Sequence, residues 1–269
     1  MNWPVFFKRT ASALVYAAIM LTGLLYPDPY AIIVLALLIQ FLCLREFLTL
    51  MEQAIPGLRF SVRFREGVQL LGLWSLIGLI FFQTHLAFML LPVPLLILLP
   101  AVLSKQSRLK EACVALAGLL YVCLPMASLV TMRGLSYTLP VALVLMIWVN
   151  DTMAYITGSF FGKTPFSPIS PKKTWEGTIG GALFTLAGAA VWAYYSPFSQ
   201  LHWPVWMGLA VIAVVAGTAG DLLASKLKRL AKVKDSGNIM PGHGGALDRF
   251  DSLLAALPFA LCFIAWFGL

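Results

Sequence analysis

Long apolar runs separated by short polar turns recur from one end of the chain to the other. Nine of them lie near 11–27, 29–44, 67–82, 86–103, 111–132, 138–158, 177–195, 204–223 and 252–269, each bounded by charges, proline or a polar turn. Runs of roughly 20 apolar residues reach across about 30 Å of hydrocarbon as helices. A helix is the form to expect there, because backbone N–H and C=O groups in lipid must be satisfied within the segment. The pattern therefore predicts an all-α polytopic integral membrane protein with about nine transmembrane helices. No fixed-period repeat or long flexible linker interrupts it, so residues 1–269 read as one membrane domain, with N-terminal helices over 1–140 and a second set over 141–269.

Composition reinforces this reading. The 269 residues are 60% hydrophobic and 11% charged, with a mean hydropathy of +0.88, far from the soluble range. Lys8 and Arg9 precede the first run as in a signal peptide. No small-residue cleavage site follows, only Tyr26-Pro27-Asp28-Pro29, which predicts an uncleaved anchor. Cys43, Cys113, Cys123 and Cys262 all fall inside apolar runs without C-x-x-C spacing, as packing residues would.

Charge then orients the chain. With nine spans, 18 of the 19 Lys/Arg residues fall on the side that holds the N-terminus, Arg133 being the exception, and ten of the eleven acids do likewise, all but Asp28. Short cytoplasmic loops are enriched in Lys and Arg, so this side is expected to be the cytoplasm, with the C-terminus outside. Tyr194, Tyr195, Trp203 and Trp206 would then form an aromatic belt at the outer interface. The net charge of +8 lies almost wholly on one face. Its basic residues sit in separate short loops, not in a soluble reading module, which argues against nucleic-acid binding.

Two polar intervals on the cytoplasmic side are dense in chemistry and can converge on one site. The second, 221–251, holds six Lys/Arg, four Asp and one of the three His. An Asp at membrane depth costs about 2.5–3.5 kcal/mol on insertion scales, so Asp221 needs a compensating partner. Carboxylates gathered at helix ends repel unless a cation stands between them, and oxygen ligands suit Mg²⁺, which makes Asp221 and Asp248 candidate metal ligands. Pairing with Lys228, Arg229 or Arg249 is the alternative. Lys226, Lys228, Arg229, Lys232 and Lys234 form a basic run, and helical spacing would set Lys228 and Lys232 on one face. Pro241-Gly242-His243-Gly244-Gly245 follows, a turn whose glycines let N–H groups approach a phosphate before a helix N-terminus, with His243 placed to bond it.

The first interval carries Asp151 inside an apolar run, then Gly158 to Thr164, then Ser170-Pro171-Lys172-Lys173-Thr174-Trp175-Glu176-Gly177. Gly158 to Thr164 is no P-loop: three residues separate the glycines instead of four, and a helix precedes it where a strand is needed. Ser170, Lys172, Lys173 and Thr174 offer two hydroxyls and two cations for a phosphate, with snorkelling lysines as the ordinary alternative. Gly177-x-x-x-Gly181 reads as close helix packing.

Together these residues resemble the phosphatidate cytidylyltransferases, or CDP-diacylglycerol synthases. The resemblance rests on Ser225, Lys228-Arg229, Lys234-Asp235, Gly237, Pro241, His243-Gly244-Gly245, Asp248-Arg249 and Asp251 at the family's spacing, with Gly220-Asp221, Asp151, Ala154-Tyr155, Gly162-Lys163 and 170–177 before them. It covers the C-terminal half; residues 1–140 are similar to the family only as membrane spans. Ala224 stands where many bacterial members carry Glu, and Met240 and Ala246 also depart from the usual residues.

The resemblance implies an enzyme that joins CTP to phosphatidic acid in phospholipid biosynthesis, Mg²⁺-dependent and homodimeric, in the inner membrane with its site facing the cytoplasm. Asp221 and Asp248 would hold the metal and, with Lys228, Arg229 and His243, form the catalytic set. Asp151, Ser170, Lys172, Lys173, Thr174, Ser225, Lys234, Asp235, Gly244, Gly245, Arg249 and Asp251 would line the substrates. The number of cations stays open. A CTP-dependent polyprenol or phytol kinase is the nearest alternative, and an ion-coupled transporter a more distant one.

Overall fold

The computed structural model describes residues 3–81, 92–104, 108–195, 203–239 and 244–267. The chain divides into two compact units, residues 1–131 with 227–250 and residues 132–226 with 251–269.

The first unit begins with α1 (Trp3–Leu25) and α2 (Pro29–Ala54). Asp28 is the N-cap of α2, its carboxylate accepting the Tyr30 N–H at 2.8 Å with Pro29 at the first helical position. One face of α2 is buried through Ile32, Leu35, Ala36, Ile39, Gln40, Cys43, Phe47 and Leu50, the three-to-four spacing of a helix stripe. Gly57, at φ +78°, turns the chain into α3 (Val62–Phe81), and Arg65 of α3 pairs with Glu52 of α2. Next come α4 (Pro92–Leu103) and α5 (Leu109–Leu135), whose last residues pass into the second unit.

In the second unit α6 (Thr138–Phe161) leads into an antiparallel hairpin of β1 (Pro165–Ser167) and β2 (Ser170–Thr174), then α7 (Trp175–Tyr195). Thr174 N-caps α7: its Oγ1 accepts the Gly177 N–H at 3.2 Å. The expected Gly177-x-x-x-Gly181 packing is present. A Cβ on Gly177 would come 2.7 Å from the Ala154 carbonyl oxygen, and one on Gly181 2.7 Å from that of Asn150. Helices α8 (Trp203–Leu230) and α9 (Leu247–Trp266) each contribute to both units, and in the second unit Gly220 packs on Asp251 and Ala255.

Among the described residues, seven helices are long and apolar enough to cross a membrane: α2, α3, α5, α6, α7, α8 and α9. The apolar stretches of α1 and α4, Thr10–Leu25 and Val93–Leu103, are shorter than that. Part of the expected span at 86–103 lies outside the described residues. The hairpin after α6 is a departure from an all-helical expectation, and its pairing runs one step past the strands, from the Trp175 N–H to the Thr164 carbonyl at 3.0 Å.

Three further expectations are corrected. Trp206 is fully buried, its ring 6.1 Å from that of Trp192, so it is a core residue and not part of an interfacial belt; Tyr194, Tyr195 and Trp203 are exposed. Lys228 and Lys232 do not share a helix face, because α8 ends at Leu230 in a Schellman turn. There Val233 N–H bonds the Lys228 carbonyl at 3.0 Å and Lys232 adopts φ 57°. Of the four cysteines, none of them in a disulfide, only Cys43 and Cys123 are buried.

Candidate active site

Each unit holds one cluster of the expected residues. In the second unit β2 and α8 bring Lys173 to Asp221, Nζ to Oδ2 at 2.5 Å, with both side chains 28% exposed. Ser225, one turn on along α8, donates its hydroxyl to Asp221 Oδ1 at 3.2 Å. The partner Asp221 requires is therefore a lysine of the first polar interval. The register of β2 puts it there: Lys173 and Thr174 are half-buried while Pro171 and Lys172 face out.

Around that cluster the remaining residues of the interval have local duties. Glu176 accepts the N–H groups of Lys163 and Thr164 at 3.1 and 3.2 Å, so the glycine stretch that mimics a P-loop directs its amides to a carboxylate. Asp151 is on the exposed side of α6, and the polar group facing inward is its neighbour Asn150, 4% exposed and packed against Gly181. Ser170 is half-buried, and Thr174 is engaged as the cap.

In the first unit the last turn of α8, the loop after it and the first turn of α9 form the other cluster. Lys228 Nζ stands 2.6 Å from Asp248 Oδ1. Asp248 Oδ2 accepts the Ser236 N–H at 2.7 Å and the Gly245 N–H at 3.0 Å, and the Ser236 hydroxyl oxygen stands 3.0 Å from it. Gly244 is held at φ +84°, a conformation costly for any residue with a Cβ, which would also meet Asp248 Oδ2 at 2.6 Å and Asp235. Arg229, Lys234, Asp235 and Arg249 are exposed, Asp251 is buried, and His243 lies outside the described residues.

Sequence reasoning missed Glu46. This α2 residue accepts the Ala246 and Leu247 N–H groups at 2.9 Å each and the Ser236 hydroxyl at 2.7 Å. The amides at the α9 N-terminus, expected to be open to a phosphate, are thus directed at two carboxylates, Glu46 and Asp248. The sequence offers little signal for it: Glu46 stands beside Arg45 just past the apolar run at 29–44, where it reads as an ordinary charged boundary.

As donors for a hard divalent cation the two aspartates fit unequally. Both oxygens of Asp221 face side-chain partners at a partly exposed site. Asp248 has one oxygen taken by two backbone amides and the other by an ammonium, the position a metal would share or replace.

Apolar helices long enough to cross a membrane, with one lysine–aspartate pair between β2 and α8 and another between the ends of α8 and α9, define a polytopic helical membrane protein with charged side chains paired at two places. The comparisons with known proteins narrow that class. The cytidylyltransferase family model matches residues 7–267, and the chain belongs to that family. The match extends through the N-terminal helices, well beyond the half that carries the recognisable motif. Relatives named phosphatidate cytidylyltransferase include one from Staphylococcus aureus (strain COL), 44% identical over 127 residues, covering 47% of this chain and 48% of the relative. One from Staphylococcus haemolyticus (strain JCSC1435) is 45% identical over 126 residues, covering 46% of this chain and 47% of its own. A third, from Staphylococcus epidermidis (strain ATCC 12228 / FDA PCI 1200), is 46% identical over 129 residues, with 47% and 48% covered. The chain spans about half the length of the curated relatives it matches.

Proposed function

We propose that this chain is a phosphatidate cytidylyltransferase, joining CTP and phosphatidic acid to give CDP-diacylglycerol and pyrophosphate. The observation that carries the reading is the pair of lysine–aspartate contacts, Lys173–Asp221 and Lys228–Asp248, built from the very residues of the family's motif.

Phosphatidic acid presents a phosphomonoester whose second pKa is about 6 on the model of phosphorylated side chains, so at pH 7 it is largely a dianion and needs no general base. A phosphate oxygen of the lipid attacks the α-phosphorus of CTP in line, the bond from that phosphorus to the bridging oxygen breaks, and pyrophosphate departs with the electron pair. The barrier is the repulsion between two polyanions. Lys173, Lys228 and Arg229 answer it with positive charge, and Ser225 and Ser236 orient the carboxylates. Mg²⁺ held by oxygens of Asp221, or by those of Asp248, would supply further neutralisation of the triphosphate. A lysine released from its aspartate would then turn to a phosphate oxygen.

On this proposal the chain is an inner-membrane protein of nine spans, N-terminus inside and C-terminus outside, acting as a homodimer with both motif clusters at the cytoplasmic face. Maleimide labelling of single cysteines at Arg59 and Trp203, in a cysteine-free background, should modify the first only from the cytoplasm and the second only from outside.

The deciding assay supplies purified protein in mixed micelles with phosphatidic acid, α-³²P-labelled CTP and Mg²⁺. Label in chloroform-soluble CDP-lipid, lost with chelator and in Asp221→Asn, supports the proposal. Label recovered as CDP only when an isoprenoid alcohol is added would make the chain a lipid kinase. No nucleotide turnover at all would favour a transporter.

A further inference from the structure

Glu46 sits in α2, in the half of the chain whose sequence carries no recognisable motif, and its side chain is 6% exposed. A carboxyl group buried inside an apolar helix is retained only where its partners repay the loss of water. Its partners are all in one place. Ala246 N–H meets Oε1 at 2.9 Å, Leu247 N–H meets Oε2 at 2.9 Å, and the Ser236 hydroxyl meets Oε2 at 2.7 Å. The two amides open α9, where unpaired N–H groups and the positive end of the helix dipole favour a carboxylate.

The loop is shaped to receive it. A Cβ on Gly237 would come 2.7 Å from Glu46 Cδ, and one on Gly245 2.6 Å from the same atom, so both glycines leave the room the carboxyl group fills. Ser236 then links Glu46 to Asp248. Its hydroxyl lies 2.7 Å from Glu46 Oε2 and 3.0 Å from Asp248 Oδ2, and its N–H donates to the latter at 2.7 Å. One hydroxyl carries one proton, so the shorter contact takes it, and Glu46 fixes Ser236 while the Ser236 amide fixes Asp248.

We infer that Glu46 is a positioning residue for Asp248, setting through Ser236 and the first amides of α9 where that carboxylate and its Lys228 partner stand. It touches neither substrate; it acts through the loop it holds. The activity arm of its test rests on the cytidylyltransferase reading, and the exchange arm does not.

The experiment compares full-length Glu46→Gln with Leu44→Ala, a cavity in the same helix at a fully buried position whose neighbours are Gly72 and Gly118. Glu46→Gln presents an amide N–H₂ to at least one backbone N–H and leaves it unpaired. Expected are a fall of roughly 10–100-fold in kcat with KM for CTP and phosphatidic acid changed less than about threefold, the scale of a site misplaced by about 1 Å. Hydrogen exchange should quicken in peptides spanning 244–250, while Leu44→Ala, destabilised in melting, keeps wild-type exchange there and near-wild-type kcat. Ser236→Ala, which leaves both amide contacts to Glu46 intact, should lower kcat in the same direction and add little to Glu46→Gln. Wild-type kcat and exchange in Glu46→Gln, or losses no different from those of Leu44→Ala, would overturn the inference. If the wild-type protein makes no CDP-lipid, the functional reading falls and the exchange comparison alone decides whether Glu46 holds the loop.

Discussion

Lys228 and Asp248, twenty residues apart, meet at 2.6 Å with side chains only 14% and 6% exposed, so the last turn of α8 and the first turn of α9 are joined by a buried ion pair. Removing one partner of such a pair leaves an uncompensated charge, at a cost of about 3–5 kcal/mol. Lys228→Met is expected to lower the melting temperature in detergent markedly and to abolish turnover, whereas Lys228→Met with Asp248→Asn should recover much of the melting temperature and none of the turnover. An unchanged melt in Lys228→Met would mean that the pair does not hold the loop.

The Lys173–Asp221 pair behaves differently because both side chains are 28% exposed. Screened by solvent, such a pair contributes about 0–1 kcal/mol, so neither Lys173→Met nor Asp221→Asn should shift the melt much. Both should reduce CDP-lipid formation on the order of 100-fold, the scale seen when a charge-stabilising group is lost. Their Mg²⁺ titrations should move in opposite directions. Asp221→Asn raises the Mg²⁺ needed for half-maximal rate, and Lys173→Met, which frees the carboxylate of its ammonium, lowers it. A shift of the same sign in both would remove Asp221 from the metal site.

Two glycines of α7 separate packing from propensity. Gly181→Ala places a methyl group 2.7 Å from the Asn150 carbonyl oxygen, and the forced separation of α6 from α7 should cost about 1–3 kcal/mol. A methyl group on Gly188 would meet nothing within 4 Å, and Gly188→Ala should be neutral or stabilising by up to about 1 kcal/mol. Thermal melts of the two variants side by side test the pair.

Gly244 and Gly57 both adopt left-handed backbone, at φ +84° and +78°. Alanine there costs about 1–2 kcal/mol in either case. Only at Gly244 would the methyl group also strike Asp248 Oδ2, at 2.6 Å, while Gly57 has open space. Gly57→Ala should therefore lose stability alone, and Gly244→Ala stability together with most of the activity. Equal activities in the two variants would separate the Gly244 turn from the site.

Much of the candidate site can be read in the linear order because the motif is local. Lys228, Gly244, Gly245 and Asp248 lie within one loop and its flanking helix ends, so short-range geometry brings them together. What could not be read is which expected phosphate donors are already committed. Thr174 reads as a phosphate hydroxyl, and only the position of the Gly177 N–H shows it to be a helix cap. The glycine turn reads as leading into an open anion site until Glu46 is found to take the Ala246 and Leu247 amides and Asp248 that of Gly245. Lys232 reads as a helix-face residue because the basic run shows no break, and the Schellman turn that ends α8 uses a lysine where glycine is usual.

The apolar runs by themselves determined that this is a helical membrane protein, because hydrocarbon leaves the backbone no other partners and a run's length alone tells whether it can cross. The motif of 225–251 likewise identified the family without any knowledge of shape. Tertiary structure decided the pairings. Asp221 is neutralised by Lys173 from the hairpin and not by the basic run beside it, and Glu46, 201 residues before Leu247 in sequence, holds the start of the last helix. Local periodicity states which residues enter the membrane, but it is silent on which helix faces meet, and a buried charge is stable only where that meeting supplies its partner.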